Sequence, residues 1–235
     1  MKKYPTIALS HNLQRIGAIG DIHAEDNLLQ TALEFLDSNQ LDLIVCVGDI
    51  VDGLGSVDRC CELLENYRVE TVSGNHERWF FSGELTYIQN ATPVDSISDR
   101  SRHFLSSLPK TKSYKTVAGR LMLCHGIGEC DMGAVASDED TPDSNDEACE
   151  LWESTMELSK LMYRTDYRFI INGHTHHPRV KYIEDLTIIN AGTLCRDRQP
   201  CCLIVDFAAK FAQYYNLNRA GQVSPKMQMQ LFSNF

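Results

Sequence analysis

In the N-terminal third of the chain, continuous apolar runs typical of buried strands alternate with segments whose apolar residues fall on one helical face. This alternation constrains the fold more than any other feature. Residues 16–19 form a short apolar run, and 41–47 form a nearly continuous one, as in a strand buried on both faces. Residues 24–37 carry apolar side chains on one helical face, and a helix over 56–67 precedes a strand over 69–72. This β-α-β-α-β order predicts parallel strands joined by right-handed crossovers.

The remaining chain is richer in strands than in helices. We expect a helix from a cap at Ser96 to a point before Pro109, and another over 148–163. The predicted strands cover 112–117, 120–124, 168–172, 179–184, 186–190, 201–206 and, as a returning hairpin strand, 207–217. This distribution predicts an α/β protein with two packed mixed β-sheets, a β-sandwich, flanked by helices.

The chain length predicts one domain over 1–235, because 235 residues suffice for one substantial core but hardly for two. Residues 129–150 are acidic and rich in turn-forming residues. They are either a solvated surface loop or, together with the helix that follows (129–165), a lid that selects substrates. Residues 222–235 are expected to be a loosely held C-terminal tail.

Charge and hydropathy exclude several classes of partner. The net charge is −10, from 22 basic and 32 acidic residues, and such a surface repels nucleic-acid backbones, so we expect no stable nucleic-acid binding. No run approaches the roughly 20 apolar residues of a membrane span. The N-terminal positive charges are not followed by the apolar run of a signal peptide. We therefore expect a cytoplasmic protein without membrane association, and the sequence leaves its oligomeric state open.

Polar side chains follow the predicted strands where each strand ends, and each group lies beside a glycine. In chain order they are Asp21, His23, Asp49, Asn75, His76, His125, His174 and His176. The carboxyl ends of parallel strands converge on one crevice, so these side chains can meet in space. The neighbouring glycines permit the sharp turns and close backbone approach that such a crevice requires.

Seven of these side chains, all except His76, offer carboxylate oxygen, amide oxygen or imidazole nitrogen. This mixed set without thiolate suits Mn, Fe, Zn or similar divalent ions. Seven ligands are too many for one tetrahedral site but fit two divalent metal ions that share a carboxylate. Two ions about 3.5–4 Å apart can hold a bridging hydroxide and clamp the oxygens of a displacement at phosphorus.

Each donor also has a simpler interpretation. Asp21 could cap the helix that follows it, Asp49 could belong to a turn, and Asn75 could occupy a left-handed loop position. The segment 173–176 could be a polar turn. The recurrence of a good ligand after five separate strands, each time beside glycine, favours the metal centre.

The segments Gly20-Asp21-Ile22-His23, Gly48-Asp49, Gly74-Asn75-His76-Glu77, His125-Gly126 and Gly173-His174-Thr175-His176 resemble the five blocks of the calcineurin-like metallophosphoesterase superfamily. The resemblance implies a four-layer sandwich. It also implies that Asp21, His23, Asp49 and His176 hold one ion, and that Asp49, Asn75, His125 and His174 hold the other, with Asp49 bridging. The third block is similar to that of phosphoprotein phosphatases. The turn over 190–193 is closer to that of small bacterial and archaeal phosphodiesterases.

The resemblance also suggests roles for side chains outside the ligand set. His76 would protonate the leaving alkoxide, and Asp52 would fix the tautomer of His76. Phosphoprotein phosphatases have an arginine directly after the residue that matches Asp52, whereas this chain has Gly53, so one phosphate-binding guanidinium is missing. In its place Arg78 and Arg196 are candidate substrate-binding residues, with Arg198 a further arginine near the predicted site; a solvated surface position is the alternative for each.

The predicted function is therefore that of a metal-dependent phosphoesterase, a dinuclear phosphoric ester hydrolase. It would cleave phosphodiester or phosphomonoester bonds of a small phosphorylated substrate by a metal-bridging hydroxide, with manganese among the suitable ions. The alternatives are a dinucleoside polyphosphate hydrolase or a serine/threonine protein phosphatase, and, in a different class, a non-catalytic metal-binding scaffold.

Overall fold

A six-stranded mixed sheet contains the first three strands of the chain at one edge. The computed structural model describes residues 12–84, 87–135, 145–164 and 166–232. In the order of the sheet, its strands are β11 (Val223–Gln230), β10 (Phe211–Leu217), β9 (Cys201–Asp206), β1 (Arg15–Ile19), β2 (Leu43–Cys46) and β3 (Glu70–Thr71). Strands β1, β2 and β3 are parallel, and β9 is antiparallel to β1, so the sheet is mixed as predicted.

A second, five-stranded sheet packs against the first. Its strands, in order, are β4 (Thr111–Thr116), β5 (Gly119–Cys124), β6 (Tyr167–Asn172), β8 (Leu186–Asn190) and β7 (Arg179–Ile183). The pairs β5–β6 and β6–β8 are parallel, while β4–β5 and β7–β8 are antiparallel hairpins. The carboxyl ends of β5 and β6 therefore lie side by side.

Successive side chains of each strand point to opposite faces of its sheet, and one of these two sets forms the core between the sheets. In β5, Leu121 and Leu123 face the other sheet, while Met122 and Cys124 face the outside of the sandwich. In β9, Leu203 and Val205 face the inter-sheet core, and Cys202 and Ile204 face the helices. Because successive side chains alternate between two buried faces, these strands read as continuous apolar runs in the sequence.

Helices cover both outer faces, which completes the predicted four-layer arrangement. They are α1 (Asp26–Asp37), α2 (Val57–Asn66), α3 (Asn75–Ser82), α4 (Asp99–Ser106) and α5 (Asn145–Arg164). The apolar face of α1, including Leu29 and Leu33, packs with α2 on the six-stranded sheet. From α5, Leu161 packs on the outer face of the five-stranded sheet.

Three predictions about local structure need correction or qualification. Residues 222–235 were expected to be a loose tail, but Val223–Gln230 forms edge strand β11 and Leu231 is fully buried in the inter-sheet core. The helix predicted from Ser96 begins instead after Ser98, whose hydroxyl accepts a hydrogen bond from the Ser101 amide. Residues 136–144, the middle of the proposed lid, lie outside the described residues.

Within the described part of the chain, no helix is both long and apolar enough to span a membrane.

The end of β1 is fixed by a close approach between two backbones. A Cβ atom at Gly20 would lie 1.9 Å from the carbonyl oxygen of Gly192, so only glycine fits there. This contact lets Asp21 pair with Thr193 across an isolated β-bridge. The turn after β8 thereby holds the start of the loop that carries Asp21 and His23.

We expect Gly20→Ala to lower the free energy of unfolding by about 1–3 kcal/mol or more, since neither backbone can move without disturbing its sheet. Gly17→Ala, within β1, is the matched control, because its Cβ would meet the ends of Leu36 and Leu41, which are flexible side chains. Urea denaturation of the two variants measures the difference. A smaller loss for Gly20→Ala than for Gly17→Ala would contradict the backbone-contact argument.

Candidate metal centre

All seven predicted donor side chains converge at one edge of the sandwich. Asp21 and His23 follow β1, Asp49 follows β2, Asn75 opens α3, His125 follows β5, and His174 and His176 follow β6. The two sheets contribute on opposite sides of the crevice. Asp21, Asp49, Asn75 and His125 are each at most 1% exposed, so the cluster lies at the bottom of the crevice.

One group of side chains that could hold an ion consists of His23, Asp49 and His176. The Nε2 atoms of His23 and His176 lie 3.1 Å apart, and His23 Nε2 lies 3.9 Å from Asp49 Oδ2. All three ligand atoms are within 4.8 Å of one another. Such short distances between lone-pair donors suit a shared cation.

A second group consists of Asp21, Asp49 and His125, and it shares Asp49 with the first. His125 Nε2 lies 3.2 Å from Asp49 Oδ2. Asn75 Oδ1 adjoins this group, at 2.8 Å from His125 Nε2 and 3.0 Å from His174 Nδ1. The predicted donors Asn75 and His174 thus border the second group.

Backbone carbonyls orient two of the imidazoles. His125 Nδ1 lies 2.8 Å from the Val47 carbonyl oxygen, and His23 Nδ1 lies 3.1 Å from the Asp52 carbonyl oxygen. A carbonyl only accepts, so in each ring Nδ1 carries the proton and Nε2 faces the cluster. This is the arrangement in which a neutral histidine presents a lone pair to a metal.

The charges of the cluster are unbalanced without a cation. Asp21 Oδ2 is buried and has no hydrogen-bond partner among the described residues. Burial raises the pKa of Asp21 to about 7. Burial opposes protonation of His125, but the Asp49 carboxylate outweighs it and raises the pKa of His125 to about 10. Burial, followed by the neighbouring histidines, lowers the pKa of His174 to about 4 and that of His176 to about 3. A buried, unpaired carboxylate oxygen near the neutral imidazoles of His174 and His176 fits a divalent ion.

The backbone of the site is strained, since four of the donors and the adjacent Asp52 adopt left-handed conformations that non-glycine residues rarely occupy. Their φ angles are 46° for His23, 49° for Asp49, 64° for Asp52, 65° for His174 and 60° for His176. Such conformations persist where the surrounding structure enforces them, which is typical of functional sites. The neighbouring glycines were expected to permit the sharp turns of the site; Gly48 does so with a φ of 100°, and four of the donors adopt left-handed conformations themselves.

Glu77, in the third of the five sequence blocks, supports the backbone around the site, a role that was not predicted from the sequence. Its fully buried carboxylate accepts hydrogen bonds from the amides of Asp49, Ile50, Val51 and Gly74, at 2.6–3.2 Å. It therefore joins the loop after β2 to the start of α3. An acidic residue three positions after a helix cap is the sequence signal that could have revealed it.

His76 and Asp52 lie together, as the resemblance implied. His76 Nδ1 is 2.6 Å from Asp52 Oδ2, and the other Asp52 oxygen accepts the Thr92 amide at 2.7 Å. Burial opposes protonation of His76, but the hydrogen bond to Asp52 prevails and raises its pKa. His76 Nε2 faces the cluster at 3.9 Å from Asp49 Oδ2. No sequence signal indicated Thr92.

The two arginines predicted to bind substrate lie at the margin of the cluster, and each is paired with a carboxylate. Arg78 forms a bidentate ion pair with Asp131, and Arg196 forms a bidentate ion pair with Glu25. Asp21 does not cap α1, because the cap position is Glu25 and no side chain caps the first amides of that helix. Asn75 is helical, so its left-handed interpretation is wrong.

Comparison with known proteins identifies the architecture. Residues 15–210 match the calcineurin-like phosphoesterase superfamily domain. An uncharacterized protein of Methanocaldococcus jannaschii is 23% identical over 198 residues, which is 80% of this chain and 73% of that protein. Serine/threonine-protein phosphatase 2 of Escherichia coli is 40% identical over 70 residues, 29% of this chain and 32% of that protein. The crystal structure of a metallophosphoesterase from Sphaerobacter thermophilus superposes with a TM-score of 0.63 at 19% identity, covering 88% of this chain and 89% of that one.

We expect Asp21→Asn to preserve or raise the stability of the metal-free protein while removing most of the stabilisation by Mn²⁺. Burial raises the pKa of Asp21 from 3.8 to about 7, so its ionisation destabilises the metal-free fold as the pH rises from about 4 to about 7. The amide removes that charge and should leave the metal-free melting temperature at pH 7.5 equal to or above that of the wild type. It should also abolish most of the increase that Mn²⁺ produces, which corresponds to about 2.7 kcal/mol at 100 times the dissociation constant.

Differential scanning calorimetry with and without Mn²⁺ measures both effects. Asp185→Asn is the control, since it removes the same charge from a side chain that is 89% exposed and should alter neither quantity. If Asp21→Asn kept the full metal-dependent increase, Asp21 would not be a ligand.

Proposed function

The chain belongs to the calcineurin-like phosphoesterase superfamily, and we propose that it is a dinuclear metal-dependent hydrolase of phosphate esters. The observation that carries the proposal is the position of Asp49. Its Oδ2 lies 3.2 Å from His125 Nε2 and 3.9 Å from His23 Nε2, so it adjoins both candidate ion groups. A shared carboxylate is the feature that brings two cations close together.

The donors divide between two ions around this carboxylate. Asp21, His23 and His176 would join Asp49 at one ion, and Asn75, His125 and His174 would join it at the other. Asp21 adjoins both groups, since its Oδ1 lies 3.5 Å from His125 Nδ1, but that nitrogen carries a proton toward the Val47 carbonyl. Asp21 Oδ2, which has no hydrogen-bond partner among the described residues, lies 3.9 Å from His176 Nε2, and this supports grouping Asp21 with His176. Oxygen and imidazole donors suit Mn, Fe or Zn.

Divalent ions held there would acidify a water nucleophile and neutralise charge on the phosphoryl oxygens. The protein's own contribution is to fix the ligands and to move a proton. His76 is held by Asp52 through Nδ1, which leaves Nε2 directed toward the cluster. Its raised pKa favours the protonated ring, so Nε2–H can donate to the departing ester oxygen.

The substrate that we propose is a small molecule with a phosphodiester or phosphomonoester bond. The 70-residue similarity to a serine/threonine-protein phosphatase favours phosphomonoester chemistry as one alternative, with a phosphoprotein as substrate. A dinucleoside polyphosphate is a further alternative. A non-catalytic scaffold is disfavoured because the donors, His76 and Asp52 are all in place.

The experiment that tests the proposal measures bound metal and hydrolysis on the same preparation. The protein, stripped with a chelator and reloaded with Mn²⁺, should bind two ions per chain and hydrolyse p-nitrophenyl phosphate, bis-p-nitrophenyl phosphate or both. The stripped protein should be inactive. Two bound ions without hydrolysis of either ester would favour the scaffold, and a single bound ion would reject the dinuclear centre.

We expect His76→Ala to slow esters with poor leaving groups far more than esters of p-nitrophenol. General-acid catalysis contributes about 10²–10⁴-fold when the leaving oxygen needs a proton, and p-nitrophenolate leaves without one. Comparing kcat for an alkyl phosphate and p-nitrophenyl phosphate gives the ratio. His103→Ala, on α4 away from the cluster, is the control. An equal loss for both substrates would reject the acid role.

A further inference from the structure

Trp79, on α3, packs directly against His76. The centroids of the two rings lie 4.7 Å apart, and their planes are inclined at 60°. His76 also meets His23, a candidate metal ligand, with ring centroids 4.7 Å apart. The indole is therefore separated from a candidate ligand by a single side chain, and it borders the place where a leaving group would receive its proton.

The orientation of Trp79 is fixed by its neighbours. The guanidinium carbon of Arg78 lies 5.8 Å from the centroid of the Trp79 ring, a favourable contact between a cation and an aromatic ring. That guanidinium is itself held by Asp131, through hydrogen bonds of 2.7 and 3.2 Å. Trp79 is half-buried, so part of the ring remains open to solvent. A ring that is already held in place loses little conformational freedom when a ligand packs on it.

The surface beside the pair formed by His76 and Asp52 is apolar. Thr92 holds Asp52 twice, since its amide donates to the carboxylate at 2.7 Å and its hydroxyl accepts from the Asp52 amide at 2.8 Å. Leu54, two residues after Asp52, is 61% exposed, and Val94, two residues after Thr92, is 42% exposed. The segments that support the proposed general acid thus expose apolar side chains in addition to the indole.

The segments on the other side of the crevice lack this apolar surface. Within the described residues, 173–179 and 193–199 expose no large apolar side chain. The first follows β6 in the five-stranded sheet, and the second is anchored where the Thr193 hydroxyl donates to the Asp21 carbonyl oxygen at 2.8 Å. An apolar leaving group therefore finds a matching surface on the side of His76.

We propose that Trp79 is a specificity-determining residue whose indole contacts the leaving group, so that the protein favours esters in which this group carries an aromatic ring. This inference rests on the proposed function and deepens it by naming a substrate class. A general acid must lie within about 2.6–3.2 Å of the oxygen that it protonates. The organic group on that oxygen is then adjacent to the ring that packs on His76, and aromatic rings pair favourably in offset or edge-to-face arrangements.

Calorimetric titration of the Mn²⁺-loaded protein with benzylphosphonate and ethylphosphonate tests the inference without turnover. In both compounds a CH₂ group replaces the ester oxygen, and they differ only in a phenyl ring against a methyl group. The wild type should bind benzylphosphonate more tightly by about tenfold or more, as expected for one ring stacked on an aromatic side chain.

Trp79→Ala should weaken the binding of benzylphosphonate by about tenfold and leave the binding of ethylphosphonate as in the wild type. Trp79→Phe keeps an aromatic ring and should retain most of the preference. Phe81→Ala is the matched control, because Phe81 is 43% exposed and lies about 200° around the same helix from Trp79. It should bind both phosphonates as the wild type does.

Equal affinity of the wild type for the two phosphonates would overturn the inference while leaving the hydrolase proposal intact. Equal weakening of both by Trp79→Ala would also overturn it, since the indole would then only support the site. Failure of the wild type both to bind ethylphosphonate and to hydrolyse the test esters would instead overturn the proposed function, and this inference with it.

A double-mutant cycle separates direct contact with the ligand from an effect through His76. In the His76→Ala background, Trp79→Ala should still weaken the binding of benzylphosphonate by about tenfold, because the indole contacts the phenyl ring itself. If that loss disappeared once His76 was removed, Trp79 would act only by positioning His76, and its assignment to the leaving group would be wrong.

Discussion

The hydrogen bonds of the Glu77 carboxylate are the interaction on which the centre depends. Four backbone amides, from the loop after β2 and from the start of α3, converge on one buried side chain. Without a common acceptor, those amides would be buried and unpaired, which costs about 1–3 kcal/mol each. The same contact sets the spacing between Asp49 and Asn75. Glu77 therefore acts as part of the scaffold and needs no contact with a substrate.

The centre is assembled at a cost to the stability of the fold. Asp21 and Asp49 are carboxylates that are nearly inaccessible to water, and one oxygen of Asp21 has no hydrogen-bond partner in the described structure. Four of the donors and the adjacent Asp52 hold left-handed backbone conformations. A sequence optimised only for stability would avoid both features, so their coincidence in one crevice is itself an argument for function. The helix-covered sandwich behind it, with its apolar strands, offsets that cost.

Much of the fold and of the donor set could be predicted because both depend on local patterns. Strands β1, β2, β5 and β6 are buried on both faces and read as apolar runs, and their donors follow at once in the sequence. Helix α3 was missed because its eight residues begin with polar site residues and show no helical repeat of apolar positions. Strand β11 was missed because an edge strand alternates only weakly between buried and exposed residues. The pairing of Arg78 and Arg196 with acids 53 and 171 positions away depends on tertiary contacts alone.

The division of the donors between the two sheets has a consequence for how the molecule matures. Residues up to Asn75 bring only part of the ligand set, and the remainder, through His176, comes from the opposite sheet. No half of the sandwich holds a complete set, so the centre exists only once both halves have docked. Ions bound as proposed would link the two sheets, and a nascent or truncated polypeptide without one sheet would lack part of the proposed ligand set. Metal binding would then depend on the two sheets having folded and packed together.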